Sequence, residues 1–339
     1  MTTIAQRHVP MRSETPAPFH CILCGSGSQP RPVQDRIKGD PGGQLRAVQC
    51  LTCSHVQLSP PSYDLGLYQE DGQVNFVISH YGTPIETLFD HAAIEATRRV
   101  RRFAEYCEPL VRAGGEPVRL LDVGGGYGFF GSAMKRHHPG VETLVLEPSA
   151  SRAETGRRHF EDRGDPDFPA PAFEIGLLDD DYVQRHRASY DLVTLWHVLE
   201  HVEDPLALMR RSGELLRDGG SLWIEVPNVD DELADLSPAY RERSFMREHI
   251  SYFSAAGLER LARQAFPGAS VEVSGYQRYG LFNYFHWIHF NAPQGAAPDM
   301  WESDRWWLET IWRTAREASR TSDALLLTVR PGGEGEVRR

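Results

Sequence analysis

Short apolar segments alternate with longer amphipathic ones through the middle of the chain. Five of the apolar segments are four to six residues long and rich in Val, Leu and Ile, as is typical of buried strands. Stretches with helical spacing separate them. This rhythm predicts an α/β fold, in which a mostly parallel sheet carries helices on both faces. The predicted strands are 118–123, 143–146, 172–175, 192–196 and 221–226.

One long amphipathic helix precedes this region. It begins at Pro84, and apolar side chains recur every three or four residues until Leu110. We predict that this stripe packs on the sheet domain and that Cys107, which belongs to it, is a core residue. The arginines of the same helix are predicted to form its solvated face; they are Arg98, Arg99, Arg101 and Arg102.

A long aromatic insertion interrupts the end of the predicted sheet. Segments 271–273 and 325–329 are predicted to form an antiparallel pair that completes a seven-stranded sheet. An insertion as long as 277–322 between adjacent strands of a compact domain is unusual. We predict that it caps the substrate pocket, and it could also form a homodimer surface.

Two C-x-x-C pairs lie near the N-terminus, Cys21 with Cys24 and Cys50 with Cys53. Their thiolates can complete the tetrahedral coordination of one zinc ion and leave no open position, which predicts a structural zinc. The segment between the pairs is turn-rich and poor in apolar residues, so a metal would have to supply its stability. The alternative is a set of reduced thiols without metal.

The chain therefore divides into five predicted parts. Residues 1–18 form a flexible tail and residues 19–62 a zinc-binding module. Residues 63–116 hold a linker and the amphipathic helix, residues 117–330 form the main domain, and residues 331–339 form a second tail.

The turn after the first strand of the main domain is rich in glycine. Gly124, Gly126 and Gly128 permit positive φ angles and let the backbone approach a ligand closely. Asp122 precedes them, and Glu147 ends the next strand, where a carboxylate can accept the ribose hydroxyls of an adenosine-containing cofactor. The G-x-G-x-x-G pattern at 126–131 also fits a nicotinamide dinucleotide. Asp122 would repel a pyrophosphate there, which favours a cationic cofactor.

Residues 117–230 resemble the class I S-adenosylmethionine (SAM) methyltransferases over nearly their whole length. The D-x-G-x-G-x-G run at 122–128 resembles motif I of that family, and H-V-L-E-H-V-E-D-P at 197–205 resembles its fourth-strand segment. The resemblance implies a Rossmann-like class I methyltransferase fold with SAM as the cofactor. It implies that SAM is bound by Asp122, Gly124, Gly126, Gly128, Glu147, Pro148, Leu178, Asp179 and His197, with Leu177 or Leu178 beside the adenine. His201 is predicted to be structural.

A second resemblance concerns E-H-I-S-Y-F-S, which begins at Glu248. It is similar to a segment of zinc-containing sugar C-methyltransferases, which also carry two N-terminal cysteine pairs ahead of a SAM core. Met246 and Arg247 stand where that family has Tyr and His. The resemblance implies that Glu248 and His249 deprotonate the acceptor, and His197 is a third catalytic candidate. The alternative for Glu248 and His249 is a structural capping pair before the next helix.

Charge and composition limit the classes of partner that this chain is expected to bind. A net charge of −11 argues against a general binder of nucleic acid or anionic membranes. No stretch approaches the ~20 apolar residues of a membrane span, and no N-terminal apolar region indicates a signal peptide, so a cytoplasmic protein is expected. We therefore predict a small-molecule acceptor, a sugar nucleotide or a secondary-metabolite intermediate, methylated on carbon, oxygen or nitrogen.

Three other functions stay open from the sequence alone. An RNA methyltransferase could use the zinc module to recognise nucleic acid, although that module has few basic residues. A nicotinamide-dependent oxidoreductase would use the same glycine turn. A non-catalytic scaffold could bind SAM without transferring its methyl group.

Overall fold

A computed structural model describes residues 19–61, 85–113, 117–164, 168–294 and 306–332, but not the side chains of 103–113 and 163. The predicted N-terminal tail, most of the predicted C-terminal tail, the linker at 62–83 and the side chain of Cys107 fall outside these residues. The strands are β1 (Arg31–Gln34), β2 (Arg46–Gln49), β3 (Val56–Ser59), β4 (Val118–Val123), β5 (Val141–Glu147), β6 (Ala172–Ile175), β7 (Tyr190–Trp196), β8 (Leu216–Pro227), β9 (Ser251–Tyr252), β10 (Ser270–Tyr276) and β11 (Ala324–Arg330).

The helices follow the strands as the sequence pattern indicates. They are α1 (Ile85–Ala113), α2 (Phe129–His137), α3 (Ala150–Arg163), α4 (Asp180–His186), α5 (Pro205–Glu214), α6 (Glu232–Leu236), α7 (Pro238–Ser244), α8 (Ala255–Ala265), α9 (Leu281–Phe290) and α10 (Trp306–Ser319). Short polar side chains start several of them: Ser149 accepts the Arg152 N–H, and Ser254 accepts the Gly257 N–H. Among the helices that the structure describes, none has the length and apolar character that crossing a bilayer requires.

The larger sheet has the strand order β10-β11-β8-β7-β4-β5-β6. Strands β4 to β8 pair in parallel, whereas β11 is antiparallel to both β8 and β10. The predicted fold class, a Rossmann-like methyltransferase fold with a mostly parallel seven-stranded sheet, is therefore confirmed. Because the chain order reverses at β4, the carboxyl ends of β4 and β7 border the crevice in which such folds bind ligands.

Alternate side chains of the central strands enter two separate cores. Leu121 of β4 packs with α4, α5 and α8, whereas Leu120 packs on the other face with α1 and α2. Both leucines are completely buried. Apolar side chains on both faces explain why the central strands are continuous apolar runs in the sequence.

Helix α1 packs its apolar stripe on the sheet domain, as predicted. Ala96 and Val100 are buried in the core that contains α2. The prediction that its arginines are all solvated was wrong for two of them. The Arg98 side chain is 23% exposed and donates to the Arg278 carbonyl at 2.8 Å. Arg99 forms two hydrogen bonds of 3.0 Å to the carboxylate of Glu225 on β8. Glu225 is 1% exposed, so its charge requires a nearby cation.

The second sheet is small and antiparallel, with the order β1-β2-β3-β9. Three of its strands come from the cysteine-containing module. The fourth, β9, belongs to the main domain and pairs through Tyr252 with Val56 and through Ser251 with Gln57. The module is thus joined to the main domain through a shared sheet.

The aromatic insertion between β10 and β11 forms α9 and α10. Tyr279, Trp287 and Arg313 of this region line the same large cavity as residues of the main domain. On its outer surface, several aromatic and aliphatic side chains are at least 40% exposed; they include Phe285, Phe290, Trp306 and Ile311. A homodimer surface in this region stays a prediction.

Candidate functional site

The glycine turn at the end of β4 has the backbone conformation that its sequence predicts. Gly124, Gly126 and Gly128 all have positive φ angles, at 66°, 59° and 82°. A Cβ at Gly126 would meet no heavy atom within 4 Å, whereas one at Gly124 would lie 2.7 Å from Cγ2 of Val198. The turn therefore leaves open space beside Gly126 and packs tightly against the loop that follows β7.

Asp122 supports this turn from inside the protein. Its side chain is fully buried, and its Oδ1 accepts a 2.8 Å hydrogen bond from the Thr194 hydroxyl. Oδ2 has no hydrogen-bond partner among the described residues. Burial raises the pKa of Asp122 to about 7. Asp122 is 0% exposed in this structure, and its direct contact with SAM stays a prediction.

Glu147 lies beside the glycine turn, at the end of β5. Its Oε2 accepts the Gly126 N–H at 2.9 Å and its Oε1 accepts the Ser149 N–H at 3.0 Å. Because a carboxylate has about four acceptor positions, two remain for the hydroxyls of a ribose. Burial raises the pKa of Glu147, although Arg152 and these two hydrogen bonds oppose the shift. The residues around the turn therefore fit an adenosine-containing group.

The other predicted SAM contacts differ in accessibility. Pro148 is half-buried next to Glu147, and Asp179 is exposed and accepts the Tyr182 N–H at 2.8 Å as the N-cap of α4. Leu178 is 6% exposed and belongs to the main core, whereas Leu177 is 43% exposed. Of the two leucines weighed for the adenine contact, the structure leaves Leu177 accessible.

His197 stands at the end of β7 in a strained backbone conformation. Its φ is 56°, a left-handed value that costs a residue other than glycine on the order of 1–3 kcal/mol. Nδ1 lies 3.0 Å from Oε1 of Glu200, and Nε2 lies 2.7 Å from Oε1 of Glu225. Burial and Arg278 lower the pKa of His197, but the two glutamates outweigh them and raise it. The strain is maintained because buried carboxylates hold both ring nitrogens.

A cavity of about 1990 Å³ lies beside His197 and extends to the cap. Among the residues that line it are Glu200, His201, Glu248 and His249. It exceeds the roughly 300–1,000 Å³ of ordinary ligand pockets, so a bulky acceptor would fit. The structure thus brings together His197, Glu248 and His249, which the sequence places on two distant segments.

His201 and His249 lie next to each other in the lining of this cavity. Their ring centroids are 4.8 Å apart, and Nδ1 of His201 lies 2.7 Å from the Glu248 carbonyl oxygen. A carbonyl only accepts, so this nitrogen must donate, and His201 Nε2 then faces Glu200 Oε1 at 3.8 Å. Nδ1 of His249 is buried and has no hydrogen-bond partner among the described residues.

Burial sets the charge of these groups. Burial and the neighbouring His201 lower the pKa of His249 to about 3, so its imidazole is neutral at physiological pH. Burial alone would raise the pKa of Glu200, but the three histidines nearby lower it to about 2. One ligand atom each of Glu200, His201 and His249 lies within 4.8 Å of the others, a spacing that could hold a metal ion.

The sequence predicts no functional role for Glu200, Glu225 and Arg278 around His197, and it predicts a structural role for His201. Glu200 and His201 stand in the quoted H-V-L-E-H segment, but periodicity alone did not separate them from structural positions. Glu225 was detectable, because a carboxylate in the middle of an apolar strand requires a partner. Arg278, whose Nη1 lies 2.7 Å from His197 Nε2, gave no signal in the sequence.

The cysteine pairs meet in one cluster, as predicted. Sγ of Cys21 lies 3.5 Å from Sγ of Cys53, and Sγ of Cys24 lies 3.7 Å from Sγ of Cys50. Sulfurs about 2.3 Å from a tetrahedral zinc are roughly 3.8 Å apart, so the four sulfurs could hold this ion. The turn that follows each pair has a positive φ, 70° at Gly25 and 63° at Ser54.

Comparison with known proteins identifies a family for the main domain. The family described as "Methyltransferase domain" matches residues 96–265, which is 170 of the 339 residues. The match begins within α1 and ends with α8, so it contains the glycine turn and the wall around His197. It gives no support to the nicotinamide alternative.

Individual relatives match only about a third of this chain. The ubiquinone biosynthesis O-methyltransferase of Xanthomonas campestris pv. campestris (strain B100) is 34% identical over 112 residues, 33% of this chain and 44% of the relative. The protein of the same name from Xanthomonas axonopodis pv. citri (strain 306) is 32% identical over the same shares. The chain therefore spans less than half the length of these relatives.

Two solved structures resemble the chain at low sequence identity. A putative O-methyltransferase from Nostoc punctiforme PCC 73102 is 20% identical with a TM-score of 0.45, covering 62% of this chain and 59% of its own. A SAM-dependent methyltransferase from Archaeoglobus fulgidus is 14% identical with a TM-score of 0.42, covering 69% and 92%.

The family match agrees with the strand order and with the glycine turn. It spans half of the chain and includes both halves of the candidate site. The chain therefore belongs to the methyltransferase domain family and is a class I SAM-dependent methyltransferase.

Proposed function

We propose that this enzyme methylates a small-molecule acceptor, a sugar nucleotide or a secondary-metabolite intermediate, bound in the cavity between the main domain and the cap. The observation that carries the proposal is the wall of His197, Glu200, His201, Glu248 and His249, which faces a cavity of about 1990 Å³. Val198 packs against Gly124, so this wall adjoins the glycine turn.

The residues around the glycine turn would hold SAM. Gly126 provides open space, Glu147 provides free acceptor positions, and Leu177 and Asp179 are accessible on the next loop. Asp122, Gly124 and Gly128 shape the turn, and Pro148 flanks Glu147. Bound SAM supplies a methyl group on a sulfonium, a strong electrophile. The protein then has to orient the acceptor, and orientation alone can contribute roughly 7–11 kcal/mol.

His249 is the group best placed to accept a proton from the acceptor. Burial lowers its pKa to about 3, so the imidazole is neutral but a weak base, and it can take up a proton only if acceptor binding and Glu200 raise this pKa. Its buried Nδ1 has no hydrogen-bond partner among the described residues. Glu200 lies near enough to stabilise the positive charge that proton uptake would create. His201 and Glu248 complete this surface, and Glu248 is held through its own carbonyl by His201.

Two observations bear on which atom of the acceptor receives the methyl group. The resemblance of the Glu248 segment to sugar C-methyltransferases favours carbon, and the name of the Xanthomonas relatives favours oxygen. For carbon, His249 would remove a proton beside a carbonyl, and the acceptor would exchange that proton with solvent deuterium without SAM. For a hydroxyl acceptor no carbon-bound deuterium would appear, as mass spectrometry would show.

The test of the proposal separates donor binding from turnover. His249→Gln should reduce formation of S-adenosylhomocysteine by at least about 100-fold with a panel of keto-sugar nucleotides and phenols. The thermal shift produced by SAM should stay within error of the wild type. The exposed His289→Gln on α9 serves as the control. Undiminished turnover in His249→Gln would exclude the proposed proton acceptor.

The cysteine cluster is proposed to hold a structural zinc ion. Four sulfurs in one cluster leave no open coordination position for catalysis. Metal analysis of the purified chain should give one zinc per molecule, and Cys50→Ser should lose it.

A further inference from the structure

The segment that carries Glu248 and His249 is held by the N-terminal module. The Lys38 N–H donates to the Phe245 carbonyl at 2.8 Å, and the Arg247 N–H donates back to the Lys38 carbonyl at 3.0 Å. Further along, the Leu58 N–H donates to the Ile250 carbonyl at 3.0 Å. The catalytic candidates therefore lie between two backbone attachments to the module.

The second cysteine knuckle leads directly into these attachments. The Cys50 N–H donates to the His55 carbonyl at 2.8 Å, which closes the knuckle one residue before β3 begins. Val56, the first residue of β3, pairs with Tyr252 of β9. Arg260 of α8 also donates to the Cys53 carbonyl. One short strand pair thus connects the cysteine cluster to the cavity wall that contains Glu248 and His249.

Tyr252 completes the connection on the main-domain side. Its hydroxyl accepts the Met246 N–H at 3.1 Å and donates to the Met246 carbonyl at 2.9 Å. Its ring lies 6.0 Å from the ring of His249, centroid to centroid. One side chain of β9 therefore closes the loop that carries the two catalytic candidates.

We propose that the metal-bound cysteine cluster positions Glu248 and His249 through β3 and β9, with Tyr252 as the positioning residue, while SAM binding is independent of the metal. The Sγ–Sγ distances of 3.5 and 3.7 Å fit four sulfurs around one metal ion, and without that ion only weak thiol contacts would hold the two knuckles together. Loss of the metal would open the knuckle, loosen the start of β3 and release the loop. The effect on turnover rests on the function proposed above, but the effect on loop order does not.

The first experiment removes the metal from the full-length chain. In Cys24→Ser, a ligand change at the most exposed cysteine of the cluster, zinc content should fall. Hydrogen exchange at the amides of Met246, Arg247 and Leu58 should become at least tenfold faster, while the SAM-induced thermal shift is retained. Unchanged exchange in zinc-free protein would overturn the proposal.

A second variant tests the same coupling even if Cys24→Ser fails to fold. Tyr252→Phe keeps the ring against Phe245 and the zinc ligands, and removes only the two hydrogen bonds to Met246. We expect unchanged zinc content, unchanged KM for SAM, faster exchange at Met246, and kcat lowered about tenfold or more. Tyr182→Phe, which removes a buried hydroxyl that hydrogen-bonds to Tyr190, is the matched control.

The outcomes separate the two proposals. Faster exchange at Met246 without a change in kcat would leave the metal-to-loop coupling intact and contradict the catalytic role of the loop. Wild-type exchange and wild-type kcat in Tyr252→Phe would overturn the coupling itself.

Discussion

Asp122 is an acid enclosed by protein at the start of the glycine turn. Burial raises its pKa from the ordinary 3.8 to about 7. Because the folded chain holds this proton more tightly than the unfolded chain, the contribution of Asp122 to stability is complete below about pH 4 and is lost as the pH rises through 7.

Asp122→Asn should therefore change how stability depends on pH. Asparagine cannot ionise but can still accept the hydrogen bond of Thr194. Between pH 5 and pH 8, the wild type without SAM should lose roughly 2–3 kcal/mol of unfolding free energy relative to the variant. Urea unfolding at the two pH values measures the difference. The exposed Asp218→Asn should parallel the wild type, and a parallel response of Asp122→Asn would contradict the assignment.

At the scale of elements, α1 is held on the sheet by charge as well as by its apolar stripe. Arg99 binds both oxygens of Glu225 and lies 4.9 Å above the ring of Trp196. Burial acts to raise the pKa of Glu225, but Arg99 and His197 outweigh it and lower the pKa. Glu225 also contacts the ring of His197. This one carboxylate therefore links α1 to the cavity wall that contains His197.

Arg99→Met should be strongly destabilising because it leaves Glu225 buried without its main counter-charge. Loss of one partner of such a pair typically costs about 3–5 kcal/mol of unfolding free energy, measured by denaturant titration. Adding Glu225→Gln should recover part of the loss, since the uncompensated charge is gone. Arg101→Met, at an exposed position of the same helix, should stay within about 0.5 kcal/mol of the wild type.

The local sequence pattern predicted most helices and strands because each apolar run is long enough to indicate its own secondary structure. β4 and β6 have the predicted bounds, β5, β7, β10 and β11 extend two to four residues further, and β8 begins five residues earlier than predicted, at Leu216. β9 was not predictable in this way. It has two residues and exists because β3 offers a free edge from a distant part of the chain.

The candidate site was predictable to a similar extent. Glycine positions, the cysteine pairs and the Glu248 segment are local signals in the sequence. Arg99 has the same surroundings in sequence as the three arginines near it, so only the fold distinguishes it. The burial of Asp122 and Leu178 likewise depends on side chains from other elements, Thr194 among them.

At the scale of the whole molecule, charge opposes the RNA methyltransferase alternative. The net charge is −11, and the basic residues of the described module are Arg31, Arg36, Lys38 and Arg46. Two of these, Arg36 and Arg46, form ion pairs with Glu242 and Asp35. Too few cations remain to neutralise a phosphate backbone.

We therefore expect no RNA binding tighter than about 10⁻⁴ M at physiological salt, measured by fluorescence anisotropy with a structured RNA. A basic RNA-binding protein is the positive control. Salt-dependent binding with a slope that reports several phosphate contacts would instead favour the RNA alternative.

The sheet shared by the two modules also constrains how the chain folds during its synthesis. The four cysteines of the cluster leave the ribosome before the main domain does, and β9 follows β3 by nearly 200 residues. At ordinary translation rates this interval is roughly 10 to 40 s. During that time the nascent module has an unpaired strand edge at β3, which would favour early capture of the metal and protection of the edge by a chaperone.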